Sequence, residues 1–411
     1  MIDEILVEIA DEPSHRSPAA FELLLARQAR VKSVMKEQSI PVICITHPIN
    51  VQYATGARNM TVFSLMNTSR YLLMFAEGPT ILFDFWGCSH LSEGLPTIDE
   101  IRVATGVSYV AAGLGLESQA VKWADEIASY ILEHVGEGAI VGVDRFHFAA
   151  LDALRERGFN ITDSDQVMAK TRSIKMSIEM PYIKEAMLRT EKATEELCLS
   201  LEAGALEVEV WAEFYRGLIA REGEYISTRL LQSGQRTFPY FQEAGPKRIE
   251  NGELLCFDTD AIGYHGYAVD FSRTFLCGTD RAADQQKHLY RLAYDQLNHN
   301  VDLFQPGAEF EEIADKAWPI PEEHRPYSYY CLAHGLGMSG EYPNIPHKQP
   351  GVPYPLKGRL EPGMIVCAES YVGSATSQEG VKLEDQLLIT ENGPERLSHF
   401  PFDDRLLMKH L

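Results

Sequence analysis

The stretch CFDTDAIGYHGYAVDFSRTF, Cys256 to Phe275, sets Asp258, Asp260 and Asp270 in a run dominated by apolar residues, aromatics and glycine. On a strand alternate side chains share a face, which puts Asp258 beside Asp260. The turn-like IGYHG would then fold Asp270 back next to both. Buried carboxylates are costly and like charges at contact distance cannot all ionise, so three converging acids call for water or a cation. Two further acids lie in strand-like contexts, Glu369 in IVCAESYVG and Glu384 in GVKLEDQLLIT, and one imidazole, His334, in CLAHGLG. This oxygen-rich set with a single nitrogen suits two divalent ions, iron first, with manganese or zinc as alternatives. Paired ions bridged by carboxylates can polarise a substrate oxygen and generate hydroxide near neutral pH. Taken singly, each residue has a plainer reading: turn or edge acids, a core histidine, or, for Glu384, one half of an ion pair with Lys382. The combination is what points to a metal.

Elements must exist to aim these groups. Ser17 and Pro18 cap a helix carrying Phe21, Leu24, Leu25, Val31, Val34 and Met35 at helical spacing. IPVICIT, then RYLLMFAEG turning through Glu77 and Gly78 into PTILFDFW, read as strands. QAVKWADEIASYILEHV has the helical period, and AIVGVDR returns to strand. Near Arg172 the texture changes to two long charged helices, IEMPYIKEAMLRTEKATEELCLSLEAG and VEVWAEFYRGLIAREG, followed by Gly- and Pro-punctuated strands and the helical QQKHLYRLAYDQLNHNVDLF. The expectation is an α+β chain of two domains, residues 1–172 and 173–411.

Composition narrows the partners. The chain has 411 residues, 45% apolar and 23% charged, an ordinary folded composition. A net charge of −22 argues against nucleic acid and anionic membrane surfaces. Seven scattered cysteines without a C-x-x-C pair suggest free thiols in a reducing compartment. The acidic start MIDEILVEIADEPSH is unlike a signal peptide, and no window offers a membrane span, so a cytoplasmic protein is expected.

The ordered motifs GYAVDFSRT, HGLG, AES and GVKLED resemble those of the methionine aminopeptidase, prolidase and creatinase superfamily with the pita-bread fold. That resemblance implies a creatinase/prolidase-like N-terminal mixed α/β domain and a C-terminal pita-bread domain with a curved antiparallel sheet, usually assembled as a homodimer. It makes Asp258, Asp260, Asp270, His334, Glu369 and Glu384 metal ligands, with Asp270 and Glu384 as bridges. The D-x-D variant, together with RNMTVFSLMN, LLQSGQRTFPYFQEAG and YSYYCLAHGLG, is similar to the dimethylsulfoniopropionate-lyase branch, which implies a small-molecule substrate split to dimethyl sulfide and acrylate. The alternative is an Xaa-Pro metallopeptidase or a creatinase-like hydrolase of another small molecule. A binding protein that keeps the fold is a third reading, and the intact ligand set speaks against it.

One position departs from both patterns. Before Glu341 the peptidases carry a histidine and the lyase branch an aspartate, whereas this chain has Gly340. Glu341, His347 or a metal-bound hydroxide are then the candidates for moving a proton. Tyr329 matches a substrate-site tyrosine of the lyase branch, and Tyr330, Tyr240, Phe241, Tyr342 and Tyr371 are further aromatics near the motifs that could meet a sulfonium. Gly335, Gly337 and Gly340 spell G-x-G-x-x-G, but the proline-rich EYPNIPHKQPGVPYP that follows cannot open a phosphate-binding helix. Without a G-x-S-x-G elbow there is no serine nucleophile to name. Arg273 is expected to tie its strand to a neighbour or a partner subunit.

Overall fold

The structure, a computed structural model, describes residues 14–68, 70–279 and 281–407, and the acidic start read from the sequence lies largely outside them. The chain divides into two compact units with the boundary between Thr171 and Arg172.

In the first unit, the continuously apolar segments become interior strands because both of their faces are covered. These are β1 (Val42–Ile45), β2 (Tyr71–Phe75), β3 (Thr80–Asp84) and β5 (Ile140–Val143), while the more polar, partly exposed β4 (Glu100–Val103) and β6 (Asn160–Asp163) close the two edges of the order β4-β3-β2-β1-β5-β6. β2 and β3 form the expected hairpin, Met74 opposite Thr80. Ser17 caps the helix Pro18–Glu37, its hydroxyl accepting from Ala20 N at 3.2 Å. The helix Leu116–His134 buries Trp123, Ile127 and Ile131 at four-residue spacing in the core that includes Val42, Phe83 and Val141.

The second unit opens with the helices Met180–Ser200 and Glu207–Ile219. Its strands are β7 (Tyr225–Ile226), β8 (Leu231–Ser233), β9 (Leu254–Asp258), β10 (Ala261–Ile262), β11 (Ala268–Val269), β12 (Ser272–Leu276), β13 (Cys331–Leu336), β14 (Gly340–Pro346), β15 (Ile365–Ser374), β16 (Glu379–Thr390) and β17 (Gly393–Arg396). They form sheets β11-β10-β7, β12-β9-β8 and β14-β13-β15-β16-β17, every described pairing antiparallel. The helix Asp284–Leu303 lays Leu289, Ala293, Leu297 and Val301 into a core shared with Val366, Ala368, Val372 and Leu387. Each such leucine is worth about 2 kcal/mol of burial.

Side chains lock β12 to β16. The Thr274 hydroxyl accepts from Lys382 N at 3.0 Å and donates to Lys382 O at 2.9 Å. Arg273 spends its N–H groups on Ser272 O, Glu384 O, Asp385 Oδ1 and twice on Phe400 O. It ties its strand to a neighbour within the chain.

Candidate metal centre

β15 and β16 pair with Glu369 opposite Glu384, Cys367 opposite Gln386 and Tyr371 opposite Lys382. Because side chains alternate, these residues share one face, and β13 brings His334 to Cys367 on its far edge. β9 ends at Asp258, which lies opposite Ser272 of β12, and Asp270 falls in the short gap just before that strand.

The result is a convergence around His334. Its Nε2 lies 3.3 Å from Glu369 Oε1, 3.6 Å from Asp270 Oδ2 and 3.6 Å from Glu384 Oε1. Ligating atoms of Asp270, His334, Cys367 and Glu384 all fall within 4.8 Å of one another. On the other side stands Lys382, its Nζ 2.7 Å from Glu369 Oε2, 2.7 Å from Glu384 Oε2 and 3.5 Å from Asp258 Oδ2. Asp258, Asp270, Glu369 and Glu384 are all buried.

Asp260 differs from expectation. The strand ends at Asp258, and Asp260 takes a left-handed backbone (φ +38), a conformation aspartate tolerates better than most residues. The two acids therefore do not share a strand face. Thr228 donates its hydroxyl to Asp260 Oδ2, and Tyr240 donates its own to Asp258 Oδ2 at 2.6 Å.

Crowding drives the protonation states apart. Burial, then the charge of Glu384, push Asp270 well above the carboxylate range and Glu369 upward too. Burial and Asp258 raise Asp260 to about 7. Burial opposes ionisation of Glu384 as well, but Lys382 and His334 overcome it and pull this acid down to about 2. Desolvation disfavours the imidazolium, yet the neighbouring carboxylates of Glu369, Glu384 and Asp270 hold His334 well above its ordinary value. Asp258, Glu369 and Glu384 likewise outweigh burial at Lys382 and keep it charged.

Whether a cation fits can be read from the unpaired oxygens. Asp258 Oδ1, Asp270 Oδ1 and Glu384 Oε1 are buried without a hydrogen-bond donor. Bare carboxylate oxygens at such depth are unfavourable unless a cation meets them. The donor set of carboxylates, one imidazole and a thiol that burial holds protonated matches a hard or borderline divalent ion.

Comparison with known proteins decides the family. The profile of metallopeptidase family M24 matches residues 181–391, and that of the creatinase/prolidase N-terminal domain matches residues 27–174. The chain belongs to metallopeptidase family M24. Within the pita-bread superfamily it is similar to the dimethylsulfoniopropionate lyase DddP of Roseovarius nubinhibens, 33% identical over 93% of this chain and 86% of that one. The DddP of Roseobacter denitrificans is 31% identical over 88% and 82%, and the Xaa-Pro dipeptidase of Pyrococcus furiosus 29% identical over 57% and 65%. Among solved structures, the prolidase of Pyrococcus horikoshii OT3 superposes with a TM-score of 0.72 at 22% identity, covering 92% of this chain and 99% of that one. The X-Pro aminopeptidase of Thermotoga maritima gives 0.74 at 16%, with 92% and 98% covered, and both establish the M24 fold. M24 enzymes work with divalent metals, and the cluster above is where this member can hold one.

The remaining expected residues separate into two groups. Tyr329 packs edge-on against Phe241 at 5.2 Å, Tyr240 at 5.8 Å and Tyr330 at 4.9 Å, and the Lys382 ammonium sits over the rings of Tyr240 (5.5 Å) and Tyr329 (5.9 Å). Tyr371 stacks behind Tyr240 with its hydroxyl on Thr237 O, a packing role. Tyr342 instead pairs with Phe310, apart from that aromatic group. Glu341 does not suit a free base. Its Oε1 takes bonds from Arg172 and Met338 N, its Oε2 from Lys175, and those cations outweigh burial to hold its pKa below the ordinary value. His347 is neutral at pH 7, since burial alone lowers it to about 4, and its backbone N–H bonds Tyr330 O.

Lys382 was visible in the sequence only as a partner of Glu384, although stepping back two residues from that acid on a strand puts it on the same face. The same step marks Cys367 from Glu369 and Gln386 from Glu384. The Tyr240 bond to Asp258 spans a connection with no short-range signal.

Proposed function

We propose that the chain is a metal-dependent C–S lyase that cleaves dimethylsulfoniopropionate to dimethyl sulfide and acrylate. The observation that carries this reading is that the two lyases are 33% and 31% identical to this chain over 93% and 88% of its length, whereas peptidase relatives that match as much of it are 24% and 25% identical. The aromatic group supports it. The faces of Tyr240 and Tyr329 already hold an ammonium, and the exposed Phe241 and Tyr330 beside them would be the first rings an incoming sulfonium meets.

A divalent ion, iron in the first instance, held by Asp270, His334, Glu369 and Glu384 would supply Lewis acidity toward the substrate carboxylate. We assign the proton acceptor to His347, neutral at pH 7, because Glu341 is occupied by two cations. His347 takes the proton α to the carboxylate, the C–H pair becomes the new C=C bond, and the C–S pair leaves on sulfur as dimethyl sulfide. The functional species in this reading is a homodimer, which sedimentation velocity reads directly.

An Xaa-Pro peptidase is the second reading, favoured by the fold of the solved relatives. The two separate on one assay of iron- or manganese-loaded protein. Headspace dimethyl sulfide from the wild type but not from Asp270→Asn supports the lyase. Proline release from an Xaa-Pro dipeptide without any thioether would replace it. A Cβ at Gly340 would meet nothing within 4 Å, so Gly340→Asp is sterically accommodated. A rise in thioether yield in that variant would show that the wild-type chain works with a weaker base.

A further inference from the structure

Glu369 and Glu384 each divide their two oxygens between opposite sides of the centre. On each, Oε1 faces the His334 imidazole, at 3.3 and 3.6 Å, while Oε2 lies 2.7 Å from the Lys382 ammonium. The same ammonium is 2.7 Å from the Ser272 hydroxyl, which also donates to Glu384 Oε2 at 2.8 Å. Lys382 is itself only 1% exposed, so its charge cannot relax into water. A metal ion approaching from the His334 side finds Glu369 Oε1, Glu384 Oε1 and Asp270, and among the described residues no fixed cation stands beyond the imidazole; Glu384 Oε1 and Asp270 Oδ1 have no hydrogen-bond donor. An ion approaching from the Asp258 side finds Asp258 Oδ1 and Glu369 Oε2, neither with a hydrogen-bond donor, but also a fixed positive charge 2.7 Å from Glu369 Oε2 and 3.5 Å from Asp258 Oδ2.

We propose that Lys382 is a built-in cation that competes with metal for Glu369 and Glu384, so that it sets a gap in affinity between a tight ion on the His334 side and a weak one on the Asp258 side. Lys382 thus acts as a positioning residue through the carboxylates. Like charges a few ångströms apart in a dry site repel by several kcal/mol even at a generous effective dielectric. That repulsion falls on the ion nearer the ammonium. The inference concerns metal loading alone and stands whatever the substrate is.

The test counts ions. Metal-free protein is titrated with Mn²⁺ in a calorimeter, and bound Mn²⁺ is followed in parallel by electron paramagnetic resonance, where spin coupling reports a pair. The wild type is expected to show a first ion at least about 100-fold tighter than the second. In Lys382→Met the second ion should tighten at least about 10-fold and coupled pairs should appear at lower Mn²⁺ concentration. Lys382→Arg, which keeps the charge, should restore most of the gap. Two ions of equal affinity in the wild type would overturn the proposal, as would a gap unchanged in Lys382→Met. If Lys382→Met does not fold, the wild-type titration decides alone: a single class of two equal sites is fatal and two unequal classes, kept in Lys382→Arg, support it.

Discussion

Two buried acid systems in the second unit are built on opposite principles. At Glu341 one carboxylate meets two cations, Arg172 and Lys175, and both of its oxygens are bonded. At the candidate metal centre Asp258, Asp260, Asp270, Glu369 and Glu384 share one lysine and one histidine, and several oxygens have no donor. Both are deep, so burial alone does not distinguish a brace from a site. What distinguishes them is the charge balance: the first is complete as folded, and the second is complete only with something added.

The comparison can be broken most sharply at the centre. Asp270→Asn should lose retained metal on dialysis and cut turnover at least about 1000-fold, read by elemental analysis and initial rates. Retention of both would mean that the excess of acid is not a metal site. At the brace, Glu341→Gln leaves Arg172 and Lys175 facing a neutral group and should cost about 3–5 kcal/mol in chemical denaturation. The loss should be largest above pH 4.5, because the lowered Glu341 pKa adds stability above its unfolded value of 4.5, a contribution lost as pH falls through the folded one.

Chelation probes the centre through pH. In the stripped protein Asp260, raised from 3.8 to about 7, binds a proton on folding between those values, so its contribution is present below 3.8 and is lost as pH rises toward 7. Unfolding free energies of loaded and stripped protein, from urea denaturation, should therefore diverge as pH rises, by about 3 kcal/mol at pH 7.5. A constant difference from pH 5 to 7.5 would refute this account. The smallest effect belongs to His347, which folds neutral with a pKa of about 4 against 6.5. Its contribution is present above pH 6.5 and lost as pH falls to 4, so His347→Gln should lessen the loss of unfolding free energy between pH 6.5 and 4 by about 1–2 kcal/mol, read by urea denaturation.

Much of the centre was legible because strands have a period of two. Glu369 and Glu384 predict Cys367, Lys382 and Gln386 as neighbours on one face once β15 and β16 are known to pair. The same rule misled at Asp260, where a single left-handed residue ends the alternation. The hidden contacts are those that no period links: Tyr240 reaching Asp258, and Arg172 and Lys175 reaching Glu341 across 169 and 166 residues of chain. Tertiary closure decides such pairs, and only after the elements have formed. The first unit was easier to read, because its runs of buried strand residues and one strongly amphipathic helix state their roles locally.

Arg273 carries a final implication. Its guanidinium binds the carbonyls of Ser272 and Glu384, the Asp385 carboxylate and, twice, the Phe400 carbonyl. It therefore acts as a gauge block, setting the spacing between the strand that follows Asp270 and the strand that bears Glu384, with the loop at Phe400 as its backstop. Disturbance near residue 400, by a fused tag or a cut, would be felt as a change in metal grip with no ligand touched.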